Sequence, residues 1–295
     1  MRHDQAVASD DLRFDALLPA EMAAQAERVG VRKANLDAVS TFALAVLAGA
    51  FIALGAIFAT TVSAGGGSLP FGVVRLLAGV TFSLGLILVI VGGAELFTGN
   101  TLIVMAWASG KVPTMRLLRN WVVVYAGNFV GAAVTAAVVF VSGQYTFGGG
   151  SVGATALSIG NAKSGLDFIP AVALGMMCNA LVCLAVWMAF SARTTTDRIL
   201  VIVPPIAAFV AAGFEHSVAN MYFIPSALFI RNGAPGTFWT AIGKTAADYP
   251  NLTIQGFLVN NLLPVTIGNI IGGAVMVGIV YWFIYLRAAR RATGD

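Results

Sequence analysis

Beyond residue 35 the chain is a succession of apolar stretches, each longer than the roughly 20 residues that cross a bilayer core. Six such stretches run over about 36–63, 70–109, 115–142, 167–191, 198–232 and 253–287. No water-soluble fold accommodates so much continuous apolar sequence. Of the 295 residues, 58% are hydrophobic and 10% charged, against about 45–50% and 25% in an ordinary soluble domain. A soluble domain, a disordered chain and a nucleic-acid binder are thereby excluded, despite a net charge of +4. Two cysteines make no disulfide framework. An all-α integral membrane protein with six transmembrane helices is expected.

The basic residues orient these spans. With both termini in the cytoplasm, the inner segments hold Arg2, Arg13, Arg28, Arg32, Lys33, Lys111, Arg116, Arg119, Arg193, Arg198, Arg287, Arg290 and Arg291. Only Arg75, Lys163, Arg231 and Lys244 fall outside. Thirteen against four satisfies the positive-inside rule, so the excess of base reports topology. Residues 1–35 are polar and lack the apolar core of a cleaved signal peptide. They read as a cytoplasmic amphipathic segment with a helix starting near Pro19. A channel domain over 36–288 and a cytoplasmic tail over 289–295 complete the expected organisation.

The second and fifth spans depart from simple helices. The second is too long for one crossing and contains Glu95; the fifth contains Glu215 and His216. Both carry glycine near the middle, at Gly92, Gly93 and Gly99 and at Gly213. Irregular backbone survives at membrane depth only inside protein or beside a watery cavity, so both helices are expected to be broken. The two regions also repeat one another. Glu95-x4-Asn100 recurs as Glu215-x4-Asn220, and Asn120-x6-Gly127-Asn128-x2-Gly131 recurs as Asn261-x6-Gly268-Asn269-x2-Gly272. Repeats of three helices, about 36–142 and 167–287, must lie in opposite senses, and such repeats place the working site near the midplane. The GxxxG pairs suit close helix packing. Asn128 and Asn269 are positioned to bond backbone groups that the breaks set free. Gly65-Gly-Gly67 and Gly148-Gly-Gly150 read as flexible turns with no helix signature after them.

Ionisable groups inside a membrane are rare and functional by default, and here they reduce to Glu95, Glu215 and His216. Two readings stand open for His216, a hydrogen-bonded packing residue or a pore-lining group whose proton is exchangeable near neutral pH. The glutamates are either caps for half-helix N–H groups or working carboxylates; beside His216, Glu215 would favour the imidazolium. Asn179 either faces a pore or bonds to a helix neighbour. Cys178 and Cys183 read as packing. There is no HExxH and no phosphate loop, no metal-ligand set, and no cofactor or enzyme activity is expected.

Several runs together resemble the formate/nitrite transporter family. They are Gly92-Gly-Ala-Glu-Leu-Phe-Thr-Gly99 with Asn100, Gly175-Met-Met-Cys-Asn-Ala-Leu-Val-Cys-Leu-Ala185, Gly213-Phe-Glu-His-Ser-Val-Ala-Asn220 with Met-Tyr-Phe-Ile-Pro225, and Pro264-Val-Thr-Ile-Gly-Asn-Ile-Ile-Gly-Gly273. The resemblance spans about 35–290, and Phe238-Trp-Thr-Ala241 places it nearest the family's formate branch. It implies an aquaporin-like inverted repeat, a homopentamer with one pore per protomer, and a bacterial inner membrane. It carries the family's central histidine to His216, its loop threonine to Thr98, its pore asparagine to Asn179 and its vestibule lysine to Lys163. Its apolar constrictions fall on Phe82, Leu86, Leu96, Phe97 and Phe209. The candidate pore set is therefore His216, Thr98, Asn179, Glu215, Lys163 and Asn220, with Glu95, Asn100, Asn128 and Asn269 structural at the breaks.

The implied substrate is formate or a similar small weak-acid anion; nitrite and hydrosulfide are the alternatives within the family. A neutral-solute channel of aquaporin type would share the fold but would carry paired NPA motifs, and none occurs.

Overall fold

The computed structural model describes residues 16–287, so the segments 1–15 and 288–295, with Arg2, Arg13, Arg290 and Arg291, lie outside the described residues. Every regular element described is helical. Helix α1 (Pro19–Asn35) precedes α2 (Ala38–Ser63), α3 (Phe71–Gly92), a half-helix α4 (Phe97–Ala108) and α5 (Thr114–Val141). Then follow α6 (Ser151–Ser164), α7 (Phe168–Ser191), α8 (Thr195–Ala212), a half-helix α9 (Ser217–Gly233), α10 (Gly236–Ile242) and α11 (Gly256–Leu286). Six of these, α2, α3, α5, α7, α8 and α11, are long and apolar enough to cross a membrane.

Local chemistry fixes the helix starts. Asp37 caps α2 by accepting from Ser40 N at 2.9 Å. Thr194 and Asp197 form a reciprocal capping box at α8, with bonds of 3.1 and 3.0 Å. Pro19 opens α1, where a missing N–H costs nothing. The second and fifth spans are broken. Gly93 and Gly213, with φ of 79° and 80°, end α3 and α8 in the left-handed region. Three extended or irregular residues follow each, then α4 or α9 begins.

The repeat reaches further back than residue 36. Lys33-Ala-Asn-Leu-Asp37 and Lys163-Ser-Gly-Leu-Asp167 stand at matching places, on the last turns of α1 and α6 and at the N-caps of α2 and α7. The buried and exposed positions of 21–40 recur over 151–170. The first unit is therefore α1 to α5. The second is α6 to α9 with α11, and α10 is an insertion. Helix α1, which the expected start of the repeat at 36 leaves out, thus has its counterpart in α6. The structure also corrects the turn at 148–150. Gly148, Gly149 and Gly150 all have positive φ, but Gly150 is the N-cap of α6 rather than part of a free loop.

Within each unit the first and third spans lie backbone to backbone. A Cβ at Gly131 would overlap the Val46 carbonyl oxygen, and one at Gly272 would overlap that of Met176. Helix α11 is underwound into π-type turns over Gly256–Leu262, Ile271–Ile279 and Trp282–Leu286. Helix α1 buries Met22, Ala23 and Ala26 in a cluster with Leu102 and Met105 of α4, so it closes over one end of the bundle.

Because backbone cannot step aside as a flexible side chain does, Gly131→Ala and Gly272→Ala should each destabilise the protein by about 1–3 kcal/mol. Thermal unfolding in detergent should show a lowered Tm. Gly72→Ala, in the first turn of α3 where a Cβ meets nothing within 4 Å, should not lower the Tm, since alanine favours the helix over glycine.

Candidate functional site

At each break, one asparagine amide satisfies the backbone that the helix abandons. Asn128 Oδ1 accepts from Phe97 N at 2.9 Å, and its Nδ2 donates to Ala45 O at 2.8 Å and Glu95 O at 2.9 Å. Asn269 Oδ1 accepts from Ser217 N, and its Nδ2 donates to Gly175 O and Glu215 O, all at 2.9 Å. Both side chains are fully buried. A backbone group left without a partner at this depth would cost several kcal/mol.

The glutamates do not cap the half-helices. Glu95 Oε1 accepts from Lys33 Nζ at 2.8 Å and Oε2 from Asn100 Nδ2 at 2.6 Å. Asn100 Nδ2 also donates to Asn120 Oδ1, and Asn120 Nδ2 to Lys33 O. The second unit repeats this set. Lys163 Nζ meets Glu215 Oε1 at 2.7 Å, Asn220 Nδ2 meets Glu215 Oε2 at 2.7 Å and Asn261 Oδ1 at 2.7 Å, and Asn261 Nδ2 donates to Lys163 O. Sequence reasoning missed Lys33, Asn120 and Asn261 as members of these sets. The repeated Lys-x2-Leu-Asp spacing was the available signal.

The units differ where it matters chemically. Counted from the two glutamates, Leu96-Phe97-Thr98 opposes His216-Ser217-Val218. His216 is the N-cap of α9, its Nδ1 accepting from Ala219 N at 3.0 Å. That bond leaves the neutral ring its proton on Nε2, which lies 3.0 Å from Thr98 Oγ1; the tautomer is assigned from this network. The imidazole lies nearly parallel to the Phe209 ring, with centroids 6.0 Å apart. The Thr98 carbonyl is held from behind by Thr101 Oγ1 at 2.6 Å, Asn179 Nδ2 at 3.2 Å and Cys183 Sγ at 3.4 Å.

Two cavities approach this point from opposite ends. The larger, of about 500 Å³, is walled by Arg75, Lys163, Glu215, His216, Phe82 and Phe209, and Asn220 also reaches it. The smaller, of about 320 Å³, is walled by Lys33, Glu95, Asn100, Leu86, Leu96 and Arg198. Thr98, Phe97 and Asn179 line neither cavity. Asn179 is therefore placed differently from a pore-facing amide, because its Nδ2 is spent on Asn269 O at 2.7 Å as well as on the Thr98 loop. Phe97 packs edge-on against Tyr125 and Trp121, at centroid distances of 4.9 and 6.2 Å, instead of forming a constriction. Thr98 sits in the partition between the cavities.

The sequence profile described as formate/nitrite transporter matches residues 20–283. The formate channel FocA of Escherichia coli (strain K12) is 48% identical over 277 residues, covering 94% of this chain and 97% of that protein. FocA of Haemophilus influenzae is 42% identical, covering 90% and 93%. A solved structure described as a pentameric formate channel with formate bound superimposes with a TM-score of 0.81 at 48% identity. It covers 85% of this chain and 98% of its own.

Removing one member of a buried ion pair strands the other charge, which typically costs about 3–5 kcal/mol. Lys33→Met should therefore lower stability by about 3 kcal/mol, near the lower bound because Lys33 is partly exposed. The double variant Lys33→Met/Glu95→Gln should recover part of that loss, as read from thermal unfolding in detergent.

Proposed function

The chain belongs to the formate/nitrite transporter family, and on that premise we propose that it is a formate channel of a bacterial inner membrane. It assembles as a homopentamer with one pore per protomer, both termini and α1 on the cytoplasmic side. The charge asymmetry of the loops supports that orientation. One observation carries the functional reading. The hydrogen bond between His216 Nε2 and Thr98 Oγ1 joins the two units in the partition between two cavities, each of which has more cations than carboxylates on its wall.

Magnitudes set the route through that partition. Carrying a bare carboxylate into an apolar medium costs on the order of 20 kcal/mol in the idealised limit. A small carboxyl with a pKa near ~3.7 is protonated at pH 7 for about 4–5 kcal/mol. Cationic side chains draw the anion into either cavity. At the partition, the Nε2–H of His216 and the Thr98 hydroxyl are the donors that replace water around the carboxylate. The rings of Phe82 and Phe209 and the side chains of Leu86 and Leu96 exclude solvent on either side.

The cap on Nδ1 gives this step its pH dependence. Protonation of the ring occurs at Nδ1 and displaces the Ala219 N–H. The cationic ring lends its Nε2 proton to the carboxylate, and the acid passes the apolar segment neutral. The proton left on Nδ1 returns to Nε2 through solvent in the cavity as the cap re-forms. On the far side, formic acid releases its proton to water.

In reconstituted vesicles, His216→Phe should abolish the pH dependence of formate movement between pH 5 and 8. A variant that carries formate at the wild-type rate with the wild-type profile would sink the relay. Formate flux well above glycerol flux in an osmotic-swelling assay separates an acid channel from a neutral-solute channel.

A further inference from the structure

The larger cavity contains a cation that the relay does not use. Of the charged side chains on its wall, Lys163 is paired with Glu215 at 2.7 Å, so these two cancel. Arg75 of α3 is left, with no carboxylate in hydrogen-bond contact among the described residues. Its Nε donates to Ala211 O at 3.3 Å and its Nη2 donates to Val210 O. Those two carbonyls end α8, directly before the break at Gly213, and a helix C-terminus favours a cation. Nη1 has no hydrogen-bond partner among the described residues.

The repeat makes this residue conspicuous. Arg75 stands eighteen residues before Gly93, and the residue eighteen before Gly213 is Thr195. Only one of the two units thus supplies an arginine here, and it reaches across to brace the other unit's break. The guanidinium is also half-committed in a specific sense. Its Nε–Nη2 edge is taken by backbone, while its Nη1–Nη2 end keeps parallel N–H donors in the geometry that suits two carboxylate oxygens. His216 lies further along the same cavity wall.

We propose that Arg75 is the anion-recognition residue of this mouth, receiving a small monovalent carboxylate on its Nη1–Nη2 end before the anion reaches His216. The same side chain is fixed in place by the helix end that it braces. The brace is one-sided. In the other cavity Arg32, Lys33 and Arg198 stand with Glu95, and none of the three repeats the bond to the terminal carbonyls of the broken helix. The proposal rests on the channel reading above, including its orientation, which puts Arg75 on the outer side.

The test is uptake of labelled formate by right-side-out and by inverted membrane vesicles containing the full chain, at low and high ionic strength. Arg75→Gln should raise the half-saturating formate concentration in right-side-out vesicles by about three- to tenfold, the scale of one partly exposed charge–charge contact. It should also flatten the salt dependence there, and leave half-saturation in inverted vesicles unchanged. Arg75→Lys should keep the salt dependence but recover only part of the affinity, because it lacks the fork. Unchanged half-saturation and salt response in Arg75→Gln would overturn the proposal. So would an equal change from both sides accompanied by a lowered Tm, which marks a brace alone. If Arg75→Gln fails to assemble, an Arg75→Lys variant identical to wild type would overturn it too. Absence of formate uptake by the wild-type protein would instead defeat the channel reading.

Discussion

Everything in this structure depends on two side-chain amides standing in for water. A helix that stops in mid-membrane exposes N–H and C=O groups where no solvent can reach them. Asn128 and Asn269 each take one such N–H and return two N–H bonds to carbonyls. Asparagine alone among small side chains offers an acceptor and two donors in one plane. With those groups satisfied, the chain can turn inward at Gly93 and Gly213 and present Thr98 and His216 in the interior.

The close agreement of the two units makes their differences informative. Lysine, glutamate and the three asparagines recur with bonds matching to within a few tenths of an ångström. These sets build the breaks. Chemistry resides where the pattern fails: histidine opposite Leu96, threonine opposite Val218, and Arg75 opposite Thr195. A symmetrical scaffold thus surrounds an asymmetric centre whose two faces meet different cavities.

Much of this was legible before any coordinates. Apolar length marked the six spans, and glycine beside an intramembrane glutamate marked the breaks, because both follow from the absence of water in the bilayer. The spacing of Glu95 to Asn100 and of Asn120 to Asn128 marked the repeat. Other features depend on which distant groups meet, and composition carries little of that. Lys33 read as one more cytoplasmic base, although α1 brings it 2.8 Å from Glu95. Asn179 is placed in the candidate pore set by sequence, since an amide in an apolar helix looks alike whether it faces a pore or a neighbour. The sequence shows no helix signature where α6 forms. Its many small residues, Gly153, Ala154, Ala156, Ser158 and Gly160 among them, give a weak apolar stripe, and it is packing against α9 that makes it helical.

The bonds at the two breaks share a further property: each closes within its own unit. Lys33, Glu95, Asn100, Asn120 and Asn128 all belong to α1–α5, and Lys163, Glu215, Asn220, Asn261 and Asn269 to the second half. Other polar links cross the seam. They include Thr98 with His216, Asn179 with the Thr98 loop, Tyr125 with Thr266, and Arg75 with the end of α8. Each half therefore pairs its own glutamate and bridges its own break with its own asparagine. The path for the permeant lies along the seam, where the two halves meet through apolar side chains and close backbone packing.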